Sequence, residues 1–323
     1  GYNLEIGITT DIEATIKEEG EIVVSAKLFL DIVRRLPEEI VFIETDERMV
    51  TYIACGKVNY QIVGMSSVEY PDLPSFEQTD RITLNAKILR DMIRQTVYAV
   101  SENTAKPIYT GSLYEIEDGV FKIIAIDGYR MAIRSENVDS ESKNRFVVPG
   151  KTQHEVLKLL TDDEENTEII IGQRHITFKI KNYRIISRLI EGTFIEYKSA
   201  IPKETKTEVV INTRTIIDAV ERMSLLNNDR IQSPVRCIFS DDEIKLSCTS
   251  AVGRANDVIS VPIIGESVEI GFNNRYLLDA LKNADTDEIK LILNGSLTAM
   301  IVKPVKGDSY LSIVVPMRLA NEN

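Results

Sequence analysis

One phrase returns three times along this chain of 323 residues, and that repeat limits the possible folds more than any other feature. Its first copy begins at Glu21. A short apolar strand (Ile22, Val23, Val24) meets a polar stop and enters the helical pattern AKLFLDIVRRL over 26–36. The second copy starts at Phe146 as FVVPGKTQHEVLKLL and continues through EIIIGQRHITFKI and YRIISRLI. The third starts at Val268 as VEIGFNNRYLLDALKNA and continues through EIKLILNGSLTAMIV and YLSIVVPM. A related phrase stands between these copies, as ITLNAKILRDMIRQTVYAV from Ile82 and VVINTRTIIDAVERMSLL from Val209. A supersecondary unit repeated at so long a period cannot bury its apolar face alone and stacks on its copies. Each phrase reads strand, helix, then alternating strands, which gives an α+β chain of three similar units. The turn-rich exits Tyr70-Pro71-Asp72-Leu73-Pro74 and Pro202-Lys203-Glu204-Thr205-Lys206 divide it at 1–79, 80–206 and 207–323. The first unit lacks one leading phrase, so repeat arithmetic expects about 40 residues before Gly1, with 4–16 as the last strands of that phrase.

Charge adds a second constraint. The net charge of −12 speaks at first against nucleic acid. The five predicted helices carry twelve Lys or Arg and six Asp or Glu, a balance of +6 that leaves −18 elsewhere. The basic residues are Lys27, Arg34, Arg35, Lys87, Arg90, Arg94, Lys151, Lys158, Arg214, Arg222, Arg275 and Lys282. On one helix such a set is an ordinary solvated face. On five related helices it predicts a basic track inside an acidic shell, able to touch phosphates without reading sequence. The acidic run Asp162-Asp163-Glu164-Glu165 belongs to that outer surface.

Little else supports chemistry. No P-loop, GxGxxG, HExxH or GxSxG pattern is present. Cys55, Cys237 and Cys248 sit in apolar strand-like runs without metal spacing and are expected to be buried free thiols in a reducing cytoplasm. The two histidines, His154 and His175, have no ligand cluster nearby. Asp127-Gly128-Tyr129-Arg130 is the sharpest local group, and Asp-Gly between strands reads as a turn. No catalytic residue, metal or cofactor is expected, and no apolar run approaches the roughly 18 residues that span a bilayer. The segment Pro316-Met317-Arg318-Leu319 is unusual, because chain ends tend to be polar and a core strand does not explain apolar residues past a proline.

Four motifs in order carry a resemblance over essentially the whole chain. They are AIDGYRMA over 125–132, LIEGTF over 189–194, IGFN over 270–273 with YLLDAL over 276–281, and VPMRL over 315–319. The chain resembles the bacterial sliding clamp, the beta subunit of the replicative DNA polymerase III. The resemblance implies three similar domains, each with two helices backed by antiparallel sheets, the first one incomplete here. It implies that two chains join head to tail in a ring around duplex DNA, with helices lining the hole and no covalent chemistry. The implied partners are sequence-independent duplex DNA, the replicative polymerase, a clamp loader, other proteins bearing a clamp motif, and a second copy of the chain.

The same resemblance implies a hydrophobic pocket between the second and third domains that takes a short linear motif. Carried over by position, it comprises Tyr109, Ile126, Gly128, Tyr129, Arg130, Met131, Ile195, Ala200, Asn273, Tyr276, Thr298, Ile313, Val314, Val315, Pro316, Met317 and Arg318. The chain departs from the family pattern in three places. Ile195-Glu196 replaces Pro-Asp after Phe194, Tyr129 replaces His, and Ala320 to Asn323 extend the usual ending. For the dimer contact the pattern points to Leu225 and Leu226 against the strand over 57–65, although a pair of leucines there fits a core corner equally well. The competing reading is a repeat-built interaction scaffold that does not bind DNA.

Overall fold

The computed structural model describes residues 1–74, 80–161, 165–227 and 233–319. Asp162–Glu164 and the extension 320–323 lie outside them. Five α-helices occur among the described residues: α1 Ala26–Val33, α2 Ala86–Val97, α3 Gly150–Leu159, α4 Thr213–Ser224 and α5 Asn274–Lys282. Four of them start where a side chain in extended backbone accepts an N–H of the first turn. Ser25 caps α1, Asn85 accepts from Lys87 at 2.9 Å, Asn212 from Thr215 at 3.0 Å, and Asn273 from Arg275 at 3.0 Å. Each such cap is worth about 1 kcal/mol. The polar stop in the repeated phrase is therefore the helix start signal. Two helices end earlier than their patterns suggest. Beyond Val33 and Val97 the chain tightens into i→i+3 bonds, Leu36 N–H to Val33 O and Ala99 N–H to Thr96 O. Pro37 disfavours helical backbone at Leu36, and such tightening is common at helix ends.

Four antiparallel sheets receive these helices. Ile6–Thr10 pairs with Tyr183–Arg188, so the first unit contributes an edge strand to the five-stranded sheet of the second. Val41–Thr45, Val50–Cys55 and Val58–Val63 form a small sheet over α1, with Ile32, Ile53 and Ile62 as its buried centre. This unit holds one helix among the described residues, whereas α2 packs with α3 and α4 with α5. Separate cores fill the second and third units. The three cysteines are buried thiols, and burial pushes Cys237 up to about 12.

The feature that positions the site is a nine-stranded sheet shared by the second and third units. Tyr310–Val314 pairs antiparallel with Arg130–Asn137, setting Ile313 opposite Met131 and Ser312 opposite Ala132. An apolar cluster lies along this seam, with Leu113, Ile124, Met131, Phe194, Tyr197, Ile301 and Ile313 buried in it.

Candidate partner pocket and DNA-facing helices

The turn that opens the strand Arg130–Asn137 is built by Asp127. Its Oδ1 accepts the N–H groups of Tyr129 at 2.8 Å and Arg130 at 3.0 Å. Gly128 takes φ +93°, a conformation that side chains with a Cβ rarely adopt. The other carboxylate oxygen, Oδ2, accepts from Arg130 Nε at 2.9 Å. Arg130 is only 7% exposed, and its Nη1 donates to Asp279 on α5. The guanidinium carbon lies 4.6 Å from the centre of the Tyr276 ring and 5.4 Å from that of Tyr98. Two carboxylates and two aromatic rings thus hold one buried cation, the arrangement a desolvated charge requires. Tyr98 hydrogen-bonds with Ser312 at 2.8 Å and Tyr310 at 3.0 Å, and burial pushes its hydroxyl up to about 12. Tyr276 also stacks on Tyr129 at 5.7 Å, which keeps the Tyr129 ring standing although it is 60% exposed.

The chain end forms the facing wall. Val315 N–H donates to Tyr129 O at 2.9 Å, and Met317 N–H donates to Gly271 O at 2.8 Å. The Leu319 side chain lies over Gly271, where a Cβ would meet its Cδ2 at 2.6 Å. Leu319 therefore packs on the third unit instead of trailing into water. Met131 and Ile313 are buried together in the seam cluster, whereas Val314, next along the same strand, turns to the opposite face and packs in the core of the third unit. Tyr109 stands edge-on to Phe194 at 5.8 Å, and with Ile126 it flanks the same apolar cluster. Ile195, Ala200 and Val315 are exposed at the rim, Pro316 and Met317 are half-buried, and Arg318 is exposed.

The structure assigns two of the expected residues to support. Arg130 is consumed by Asp127 and Asp279, and the Asn273 side chain caps α5. Gly128 is exposed at the turn, and Thr298 is half-buried between the exposed Leu297 and Ala299, which packs on the seam cluster. Tyr98 and Asp279 were not anticipated. A usable signal existed for Asp279, which stands three residues after Tyr276 on α5 and so on the same helical face.

The basic residues all lie on the five helices or, for Arg34 and Arg35, just past the end of α1. Eight take carboxylate partners. Arg35 lies 3.6 Å from Asp31, Lys158 2.7 Å from Glu155, Arg214 2.8 Å from Asp218 and Lys282 2.7 Å from Glu221. Arg90 approaches Asp91 at 3.9 Å, and Arg222 bonds Asp257 at 2.8 Å. Arg94 joins Asp285, and Arg275 joins Glu102 at 3.5 Å, so these two pairs tie the second unit to the third. Lys27, Arg34, Lys87 and Lys151 are exposed, with no ion pair among the described residues. The leucine pair divides: Leu225 is 83% exposed, whereas Leu226 packs on the core of the third unit. Among the sheet edges of the described residues are Val58–Val63, which with Val41–Thr45 bounds the small sheet of the first unit, and Gly253–Ser260, which bounds the four-stranded sheet of the third. No group of three potential metal ligands exists among the described residues, and none of their helices is long and apolar enough to cross a membrane.

Three family models match in chain order: the N-terminal, central and C-terminal domains of the DNA polymerase III beta subunit, at residues 1–74, 83–196 and 198–318. The chain is 34% identical to the beta sliding clamp of Halalkalibacterium halodurans over 98% of its own length and 84% of that protein's. It belongs to the DNA polymerase III beta subunit family. The beta sliding clamp of Bacillus subtilis is 32% identical over 94% of this chain and 82% of its own length. A solved structure of the B. subtilis DNA polymerase sliding clamp superposes with a TM-score of 0.94 at 32% identity, over 98% of this chain and 87% of that one. One from Pseudomonas aeruginosa gives 0.94 at 26%, over 99% and 88%. The three-domain sliding-clamp fold and the function of a DNA sliding clamp, a processivity factor without enzymatic activity, follow from this membership. The expected shortfall of about 40 residues, a figure from repeat arithmetic, gains no support. The N-terminal domain model takes in residues 1–74, and relatives align over 98% of the chain.

Proposed function

We propose that two copies of this chain close head to tail into a ring around duplex DNA. In this reading 1–79, 80–206 and 207–323 act as its domains, and the ring works in the cytoplasm. The twelve helix cations face the hole, and the four without ion pairs make the firmest phosphate contacts. Sequence-blind phosphate contacts give sliding, since no base is read. Ring closure joins the open edges Val58–Val63 and Gly253–Ser260. The exposed Leu225 meets the strand over 57–65, where Val63 is 82% and Met65 67% exposed. Leu226 supports that corner from the core. Loading requires a separate ATP-driven loader, because the sequence carries no nucleotide-binding motif.

The polymerase, the loader and other partners insert a short apolar motif between the Tyr129–Tyr276 stack and the rim of Ile195, Ala200 and Val315. One observation carries this reading. Tyr129 (60%), Ile195 (47%) and Val315 (41%) stay exposed around a floor of fully buried side chains. Large apolar side chains held rigidly at a rim, with orienting polar groups near, make an anchor site for a peptide. A labelled clamp-motif peptide titrated by fluorescence polarisation tests it. Tyr129→Ala with Val315→Ser should weaken binding at least tenfold, as expected when hot-spot contacts are removed. Unchanged affinity in that variant would overturn the pocket.

A further inference from the structure

A second cleft adjoins the pocket, and no role so far described uses it. It has a volume of about 390 Å³ and opens between the strand Asn144–Pro149, the turn at 172–174 and the segment 189–194. Phe146, Ile190 and Phe194 supply apolar surface, and Arg145, Gln173 and Arg174 supply donors. Phe194 is shared: its ring meets Tyr109 on the pocket side and also lines the cleft. A chain leaving the pocket past Ile195 therefore reaches this cleft next.

One cation of the cleft stands uncompensated. Arg174 is exposed and has no ion pair among the described residues. Arg145 lies 3.8 Å from both Glu115 and Glu196, so its charge is offset on that side and it lines the cleft chiefly as a placed donor. Glu115 is itself buried and accepts from Tyr197 Oη at 2.8 Å, which fixes the root of that array. Glu191 also lines the cleft but lies 3.8 Å from Arg188. Neighbouring His175 is held below its usual value by burial and then by repulsion from Arg188 and Arg174, in keeping with a positive local field. Guanidinium groups beside apolar surface suit a carboxylate on a chain that also brings apolar atoms.

We propose that this cleft receives an acidic stretch flanking the clamp motif of a partner, extending the pocket by a charge-selective annex. The proposal rests on the pocket described under the proposed function. The test compares three labelled peptides by fluorescence polarisation: the motif alone, and the motif with three acidic residues added before or after it. Each is titrated against the parent chain and against Arg174→Glu, a substitution at an exposed turn. The expected result is that one flanked peptide binds roughly five- to tenfold tighter than the bare motif at low salt. That gain should vanish in Arg174→Glu while the bare motif keeps its affinity. Equal affinity of flanked and bare peptides, or a gain that survives Arg174→Glu, would overturn the annex and leave the pocket standing. Failure of the bare motif to bind would overturn both together. An acidic peptide lacking the motif that binds as tightly as the flanked one would also overturn the proposal, by making the cleft an independent site.

Discussion

The cation buried beneath the pocket allows a quantitative prediction about Asp127. Its side chain is 10% exposed and that of Arg130 is 7% exposed, so their pair lies in a poorly solvated setting. Removing one partner of a buried pair costs about 3–5 kcal/mol, because the remaining charge is stranded. Asp279 still holds the other end of Arg130 in Asp127→Ala, which argues for the lower figure. The half-buried N–H of Arg130 also loses its acceptor, adding about 1 kcal/mol. The expected loss is about 3–4 kcal/mol, a fall in Tm of roughly 6–15 °C for the step that reports the second and third units. The chain contains no tryptophan, so guanidinium unfolding is best followed by circular dichroism. A companion variant, Asp127→Ala with Arg130→Met, removes the stranded charge as well. It should be no less stable than Asp127→Ala alone, because a buried pair replaced by apolar groups is often neutral. A loss below about 1 kcal/mol in the single variant, or a double variant that loses the sum of both singles, would refute the reasoning.

Three further outcomes follow from the same contacts. Replacing Lys27, Lys87 and Lys151 by alanine should flatten the slope of log affinity for DNA against log salt by about 2–3, at roughly 0.9 per phosphate contact; an unchanged slope would remove these lysines from the track. Leu225→Asp should lower the dimer fraction in light scattering without loss of stability, whereas Leu226→Asp should cost about 2–3 kcal/mol; equal effects would contradict the division of the pair. Glu168 accepts from Lys179 at 2.6 Å and from Arg81 at 3.0 Å, and chiefly the Lys179 bond lowers its pKa. A lowered carboxylate stabilises the fold above its unfolded pKa of about 4.5 and loses that stabilisation as pH falls through the folded value. Glu168→Gln should thus be less stable at pH 7 by roughly 0.5–1 kcal/mol, with the gap closing in acid. A gap that persists well below pH 4, about the ordinary carboxylate range, would exclude the charge as its cause.

Helix starts were legible because they are local: Ser25, Asn85, Asn212 and Asn273 stand next to the N–H groups they cap. Helix ends were less so, since residues 34–36 and 98–100 keep the apolar spacing after the backbone has tightened. The seam between Tyr310–Val314 and Arg130–Asn137 left no trace in the pattern. Alternation reports which face of a strand is apolar, not which strand lies beside it. For that reason the resemblance, and not the residue pattern, brought Met131 and Ile313 together in advance. The Asp127 turn was readable from Asp-Gly, but the burial of Arg130 depends on Tyr98, well before it in the same unit, and on α5, which arrives from the third unit. Leu225 and Leu226 differ only in which direction the last turn of α4 points each side chain, and two adjacent apolar letters do not encode that.

Where the cations sit on the helices bears on how a clamp can hold DNA and still slide. Each helix carries a cation at its second residue: Lys27, Lys87, Lys151, Arg214 and Arg275. None of the five has an acidic residue in its first turn. A positive charge there opposes the helix dipole and costs about 0.3–1 kcal/mol at an exposed position. Helix stability therefore does not account for the placement, whereas a phosphate near the helix start would be drawn by the cation and the dipole together. Arg214 and Arg275 at the second position take carboxylate partners, as do Arg94, Arg222 and Lys282 further along, and Arg94 acts as a strut between units. A cation held by a carboxylate gives a phosphate little. The proposed track is thus reduced to a few separated contacts, each too weak to anchor the ring and together enough to keep the duplex centred. On this reading the lysine-to-alanine variant should gain slightly in stability while it loses its grip on DNA, a combination that a purely structural role for these lysines would not produce.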